Sequence, residues 1–150
     1  MVTETLAALF KRDLTKLYTE IEQYNSEEKL WATEKSIANS AGNLCLHLVG
    51  NLKTYIGAGL GGFAYTRNRE LEFSLKGVPK AELLAMVAET RTIVDETLHT
   101  LPATSLQQEY PLLVFTEKTS TEYLLIHLVA HLSYHLGQIN YHRRLLDVQE

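Results

Sequence analysis

Residues 127–146 read HLVAHLSYHLGQINYHRRLL and lie in the stretch that decides the fold. From just upstream, apolar residues recur at intervals of three or four, the spacing of one face of an α-helix: Leu124, Leu128, Leu132, Leu136 and Ile139, with Leu145 further along. The preceding string Thr119-Ser120-Thr121-Glu122 offers hydroxyl caps followed by an acid in the first turn. We therefore predict a long amphipathic helix that starts close to residue 121.

Three earlier stretches also predict helices. The first runs from about Thr3 to Tyr24, and the second begins near Ser36 or Asn39 and ends in the glycines of 57–62. The third starts at Pro79, where proline suits a first helical turn, and stops before Pro102. We interpret residues 63–78, which are polar and irregular, as a loop over one end of the helices.

Four helices of similar length predict an all-α fold, a four-helix bundle that occupies residues 1–150 as a single domain. No strand pattern competes with this interpretation over any long window. The segments on either side of the third helix are long enough for a crossover. The order in which the helices pair therefore stays open at this level.

Composition argues against several classes of function. The chain has 150 residues, a net charge of −4 and only small basic clusters at Arg67–Arg69 and Arg143–Arg144, which is too little for a nucleic-acid partner. A single cysteine, Cys45, excludes an internal disulfide. No apolar run approaches the ~20 residues that a membrane span needs, and the charged N-terminus is unlike a signal peptide. We expect a soluble cytoplasmic protein.

Histidines form a stripe along the predicted fourth helix. His127, His131, His135 and His142 fall within roughly 80° of one another at ~100° per residue, and Gln138 lies in the same stripe. Two imidazoles four residues apart, such as His131 and His135, can point ring nitrogens at one ion. The alternative is a polar stripe whose rings hydrogen-bond to backbone or carboxylate groups.

His47 offers a third ligand, because it lies among apolar residues of the predicted second helix. A lone histidine in such a position is more often a hydrogen-bonded core residue than a ligand. Combined with a histidine pair on another core helix, it can complete three sites around a divalent ion, for which zinc and nickel are the leading candidates. Asn51, one turn later, either lines the same opening or is an ordinary exposed amide. Cys45 is about 200° around the helix from His47, at ~100° per residue, and points elsewhere.

The strings HLVAHLSYHLGQINYHRRLL and NLCLHLVGNL together resemble the DinB-like superfamily. In that superfamily a helix carries His-x-x-x-His shortly before a Gly-Gln-Ile-like tripeptide, here His131, His135 and 137–139, and the second-helix motif puts His47 as the third ligand. The resemblance implies up-down-down-up connectivity, a divalent metal at one end of the bundle and frequent homodimers. Within the superfamily the chain is most similar to an uncharacterised branch related to thiol S-transferases.

Some members of that superfamily transfer bacillithiol, mycothiol or glutathione to an electrophilic small molecule, which implies a metal-dependent thiol transferase or hydrolase here. Under this hypothesis Arg67 or Arg69 binds a carboxylate of the thiol, although an ion-pair cluster with Glu70 and Glu72 is the more ordinary interpretation. His127 is expected to have a structural role, either fixing a ligand ring or facing solvent, and Gln138 to orient a ligand ring in the same way; both are secondary candidates for the site. The alternative is a non-catalytic metal-binding or stress-response bundle. A homodimer through the tyrosines of the fourth helix, Tyr123, Tyr134 and Tyr141, is also expected.

Overall fold

The structure is a computed structural model that describes residues 1–149. The fold is all-helical, and within the described residues the β-structure amounts to one isolated bridge between Glu109 and Ser120. We number five helices in chain order: α1 Val2–Glu22, α2 Ala41–Leu52, α3 Arg69–Ser74, α4 Lys80–Thr100 and α5 Thr121–Leu146. Short 3₁₀ turns follow α1 and α4, at Glu28–Trp31 and Ala103–Gln107.

The helix that carries His47 and the helix that carries the histidine stripe both begin at a serine cap. Ser120 accepts a hydrogen bond from the backbone N–H of Tyr123 at the start of α5, and Ser40 accepts one from Asn43 at the start of α2. The cap at Ser120 confirms the predicted start of the last helix. The second helix begins at Ala41, slightly later than the Ser36 or Asn39 expected, because Ser40 is the residue with cap geometry.

Helical structure continues beyond α2 through a π-helical segment, Lys53–Ala58, and a last turn at Gly59–Gly61. The buried Tyr110 donates a hydrogen bond of 2.7 Å to the carbonyl oxygen of Tyr55 within this segment. A Cβ at Gly59 would overlap the Tyr110 hydroxyl, so glycine is needed for this close approach. The glycine-rich segment predicted to end the second helix thus also allows Tyr110 to pack closely against it.

The four long helices enclose a shared apolar core. Helices α1 and α2 each pack against both α4 and α5. Large side chains from all four are fully buried, among them Phe10, Leu48, Leu83 and Leu124. Burial of this apolar surface is the main favourable term in folding. Polar contacts tie the helix ends: Lys80 donates to the carbonyl oxygens of Glu22 and Tyr24, and Arg143 pairs with Glu20 at 2.8 Å.

Helix α3 lies inside the segment that the sequence predicts to be irregular. Asn68 caps it by accepting a hydrogen bond of 3.2 Å from the N–H of Leu71. The helix has six residues, of which Glu72 is the buried one, so it offers no apolar periodicity to detect.

No helix in the described part of the chain is long and apolar enough to cross a lipid bilayer.

Candidate metal centre

Three histidines from two helices meet in one cluster. His47 of α2 faces His131 and His135 of α5, and one ring nitrogen from each lies within 4.8 Å of the others. The Nε2 atoms of His47 and His131 are 3.1 Å apart. His47 is buried, and the other two rings are partly buried. The helix pattern explains the geometry, since His131 and His135 are one turn apart on the face of α5 that packs against α2.

Hydrogen bonds on the outer side of two rings fix where their lone pairs point. The Nδ1 atom of His47 lies 3.0 Å from the Glu72 carboxylate, and Nδ1 of His135 lies 2.7 Å from the side-chain oxygen of Gln138. An ionised carboxylate and an amide oxygen only accept hydrogen bonds, so both rings carry their proton on Nδ1. The Nε2 lone pairs of His47 and His135 are then available for an ion.

Burial keeps the two α5 histidines in the neutral form that binds metal. Desolvation, followed by the neighbouring His135 and His47, lowers the pKa of His131 to about 4. Desolvation also lowers the pKa of His135, partly opposed by the hydrogen bond to Gln138. The Nδ1 atom of His131 is buried without a hydrogen-bond partner among the described residues. Neutral, converging imidazoles fit zinc, nickel and similar borderline metals.

The buried Glu72 and the partly buried Arg67 form an ion pair behind His47. Arg67 donates to both carboxylate oxygens, with Nε to Oε2 at 2.8 Å and Nη2 to Oε1 at 2.9 Å. Burial by itself raises the pKa of Glu72, but the hydrogen bonds from His47 and Arg67 and the Arg67 charge outweigh it, so the pKa is lowered. The contacts of Arg67 are therefore those of an ion pair with Glu72, as the more ordinary interpretation expected. The pair is largely shielded from solvent.

The remaining predicted residues lie around the cluster. The Arg69 guanidinium lies 5.5 Å from the Phe73 ring centre, and that ring packs 4.9 Å from the ring of His47. The Phe73 ring thus packs near both Arg69 and His47. Asn51, one turn after His47, is 7% exposed, and its side-chain oxygen is buried without a hydrogen-bond partner in the described chain.

Three other histidines lie outside the cluster. The His127 ring is stacked on His131 with centres 6.2 Å apart, and its other neighbour is Phe115 at 4.7 Å. His142 is buried between Tyr24 and the carbonyl oxygen of Ala32. His99 is exposed near the end of α4 and bonds the carbonyl oxygen of Asp95.

Cys45 is buried on α2, away from the cluster. Burial raises the pKa of its thiol to about 12, so it carries no thiolate near neutral pH.

Glu72 is the site residue that the sequence does not single out as part of the metal centre. It follows His47 by 25 positions and stands in a polar segment with other acids. Its contact with His47 depends on how α3 packs against α2. No local pattern encodes that packing.

The fold and the site define an all-helical protein with three histidines placed to hold a metal ion. The chain belongs to the family described as Protein of unknown function (DUF1572), whose model matches residues 4–150. No curated protein matches the chain.

Proposed function

We propose that this protein is a DinB-like four-helix bundle that binds one divalent metal ion, zinc or nickel, through His47, His131 and His135. The observation that carries the proposal is the convergence of one ring nitrogen from each residue within 4.8 Å. Imidazole nitrogens ~2.0–2.1 Å from a common ion are at most about 4.2 Å apart. The His47–His131 pair at 3.1 Å already meets this limit, and a small inward movement of the cluster would bring the three nitrogens to one ion. The GQI string after His135 and the apolar surroundings of His47 support the DinB-like assignment.

Contacts along the helices support up-down-down-up connectivity for a single domain. The start of α4 contacts the end of α1 through Lys80, which suggests that these two helices run in opposite directions. Lys53 pairs with Glu89, and Gly57 faces Ile93, as expected for parallel α2 and α4. Glu20 pairs with Arg143 near the C-terminal ends of α1 and α5, as expected for a parallel pair.

We further propose that the centre serves a thiol S-transferase. When bound, a divalent ion with three histidine ligands supplies Lewis acidity at a position left for water or a thiol. Asn51, one turn after His47 on α2, keeps a buried side-chain oxygen without a hydrogen-bond partner among the described residues, which supports its assignment to the lining of the site. Arg69, which makes no ion pair within residues 1–149, is the cation available for a thiol's carboxylate, since Arg67 is held by Glu72.

The alternative is a non-catalytic bundle whose ion ties α2 to α5. One observation favours it: the ligands come from two neighbouring helices, so an ion there cross-links the fold whatever else it does. The two functions share the same site. They differ in whether a thiol and an electrophile react there.

Metal analysis tests the site that both functions need. Purified protein is expected to carry about one equivalent of zinc or nickel, as a site of this kind holds a single ion. His47→Ala and His131→Ala are expected to lose it. His99→Ala is the matched control, because His99 is exposed and distant from the cluster. Equal metal content in all four proteins would contradict the assignment.

A thiol screen separates enzyme from binder. Metal-loaded protein is incubated with bacillithiol, mycothiol or glutathione and an electrophilic acceptor, and loss of free thiol is followed. Turnover that disappears in His131→Ala supports the transferase. No turnover with any of the three thiols in a fully loaded sample favours the non-catalytic function.

We also propose a cytoplasmic homodimer. Tyr123, Tyr134 and Tyr141 are 57%, 66% and 65% exposed on one flank of α5, and exposed aromatic patches are typical of interfaces. The cytoplasm keeps low-molecular-weight thiols reduced, as the transferase requires. A light-scattering mass equal to one chain would contradict the dimer.

A further inference from the structure

Helix α3 is fastened to α2 so that one carboxylate reaches the metal centre. Asn43, in the first turn of α2, donates hydrogen bonds of 2.9 and 2.8 Å to the carbonyl oxygens of Glu72 and Leu75. The side-chain oxygen of Asn43 accepts hydrogen bonds from the Ser40 hydroxyl and the Lys76 ammonium group. Asn43 is 1% exposed, so these bonds are shielded from water. They hold the backbone of Glu72 against the helix that carries His47.

Gly50 makes room for the Glu72 side chain. It lies three residues after His47 on the adjoining surface of α2, and a Cβ at this position would overlap the Glu72 carboxylate. Glycine inside a helix is less favourable than alanine, because it loses more conformational freedom on folding. A glycine there is consistent with a requirement for space at the carboxylate.

We propose that Glu72 is a positioning residue of the metal centre. It accepts the Nδ1–H of His47, which fixes the tautomer and the ring orientation that leave Nε2 as the ligand atom. Its negative charge also strengthens His47 as an electron donor, as carboxylates behind ligand histidines do in other metal sites. Arg67 donates a hydrogen bond to each of the Glu72 oxygens and so holds the carboxylate in place. This inference rests on the proposed metal-binding function.

A buried ion pair that only joins α3 to α2 is the competing explanation. It predicts that loss of Glu72 lowers the stability of the fold but leaves the affinity of correctly folded protein for metal unchanged. The proton position on His47 distinguishes the two explanations. If Glu72 positions the ring, the proton stays on Nδ1 only while the carboxylate is present, whereas the competing explanation predicts the same tautomer and metal affinity without it.

The test compares Co²⁺ and Zn²⁺ affinities of the wild type, Glu72→Gln and Glu70→Gln by competition with a chelator. Glu70→Gln is the matched control, since it removes the same charge from an exposed position of the same helix. We expect Glu72→Gln to bind about 10–100-fold more weakly and Glu70→Gln to bind like the wild type. Gly50→Ala, which displaces the carboxylate without removing it, is expected to weaken binding in the same direction.

Imidazole ¹⁵N spectra of the metal-free proteins give a second readout. We expect His47 to carry its proton on Nδ1 in the wild type and to lose that preference in Glu72→Leu, which offers no acceptor, but not in Glu70→Leu. If Glu72→Gln does not fold, Gly50→Ala provides both comparisons. A wild type that binds no ion would contradict the proposed function. A wild type that binds, with an equal affinity in Glu72→Gln and an unchanged His47 tautomer in Glu72→Leu, would overturn this inference alone.

Discussion

The Nε2 atoms of His47 and His131 lie 3.1 Å apart, although the two residues are separated by 84 positions in the chain. Two imidazole nitrogens at this distance share either one hydrogen or one ion. Glu72 already holds the proton of His47 on the opposite ring nitrogen, so a lone pair of His47 faces His131. Binding of an ion or other ligand to this cluster is therefore coupled to the packing of α2 against α5.

Metal is expected to stabilise the fold, because the ligands are brought together only when α2 and α5 pack. Zinc at about 100 times its dissociation constant adds about 2.7 kcal/mol to the free energy of unfolding. For a chain of this size, that corresponds to a rise in melting temperature of roughly 5–11 °C. Differential scanning calorimetry with zinc or with a chelator measures the shift.

His131→Ala provides the control for this thermal shift. The variant loses a ligand and is expected to melt at the same temperature with and without zinc. A rise as large as in the wild type would mean that zinc stabilises the protein from another site.

Gly59→Ala is expected to destabilise the fold by about 1–3 kcal/mol. The added Cβ displaces the Tyr110 hydroxyl and leaves the carbonyl oxygen of Tyr55 without its hydrogen bond. Gly137→Ala is the matched control, because a Cβ at Gly137 meets open space on α5. Helix propensity predicts that this second change stabilises the protein by roughly 0.5–1 kcal/mol. Urea unfolding gives both values, and equal effects would contradict the role of Gly59.

His142 is expected to make stability depend on pH. Desolvation lowers its pKa, partly opposed by the hydrogen bond to Ala32 and by Asp147 and Glu34. The unfolded chain therefore takes up a proton near pH 6.5, where the folded chain does not. The contribution of neutral His142 is present above about pH 6.5 and is lost as the pH falls through that value toward the folded pKa. Urea unfolding with a chelator present, at pH 7 and pH 5, measures the loss.

The variant His142→Gln separates the contribution of His142 to the pH dependence of stability from the contributions of His131 and His135, whose pKa values are also lowered. Its free energy of unfolding is expected to fall less between pH 7 and pH 5 than that of the wild type, since glutamine does not titrate. His99→Gln, at an exposed position, is expected to keep the wild-type dependence. The same pH dependence in His142→Gln as in the wild type would show that His142 is not the group responsible.

Cys45 is expected to be unreactive in the folded protein. It is fully buried, and burial raises the pKa of its thiol to about 12, so both access and thiolate are lacking at pH 8. A chromogenic disulfide reagent should modify no thiol in native protein and one thiol per chain in 6 M guanidinium. Rapid modification of the native protein would contradict the packing of α2.

Much of the fold could be predicted from the sequence, because the long helices carry their own signals. The spacing of leucines in α5, the caps before it and Pro79 before α4 are local features that tertiary packing leaves intact. Helix α3 could not be predicted, since a six-residue helix exposed on most sides has no apolar stripe. The π-helical segment after α2 likewise depends on Tyr110, a residue distant in the sequence.

The candidate site divides in the same way. The spacing of His131 and His135 is local, and the apolar neighbours of His47 indicate that it faces the interior. The link between His47 and Glu72 is not local, because it requires α3 to be fastened by Asn43 and the space at Gly50 to be free. Local sequence patterns thus indicate the candidate ligand histidines, whereas tertiary packing determines which side chains hydrogen-bond to those histidines and orient them.

X-ray absorption at the metal edge of the loaded protein tests the central claim most directly. We predict about one ion per chain with three imidazole nitrogens at ~2.0–2.1 Å, and a loss of imidazole scattering in His47→Ala. A chain that binds no ion, or a bound ion whose imidazole scattering is the same in His47→Ala as in the wild type, would contradict it.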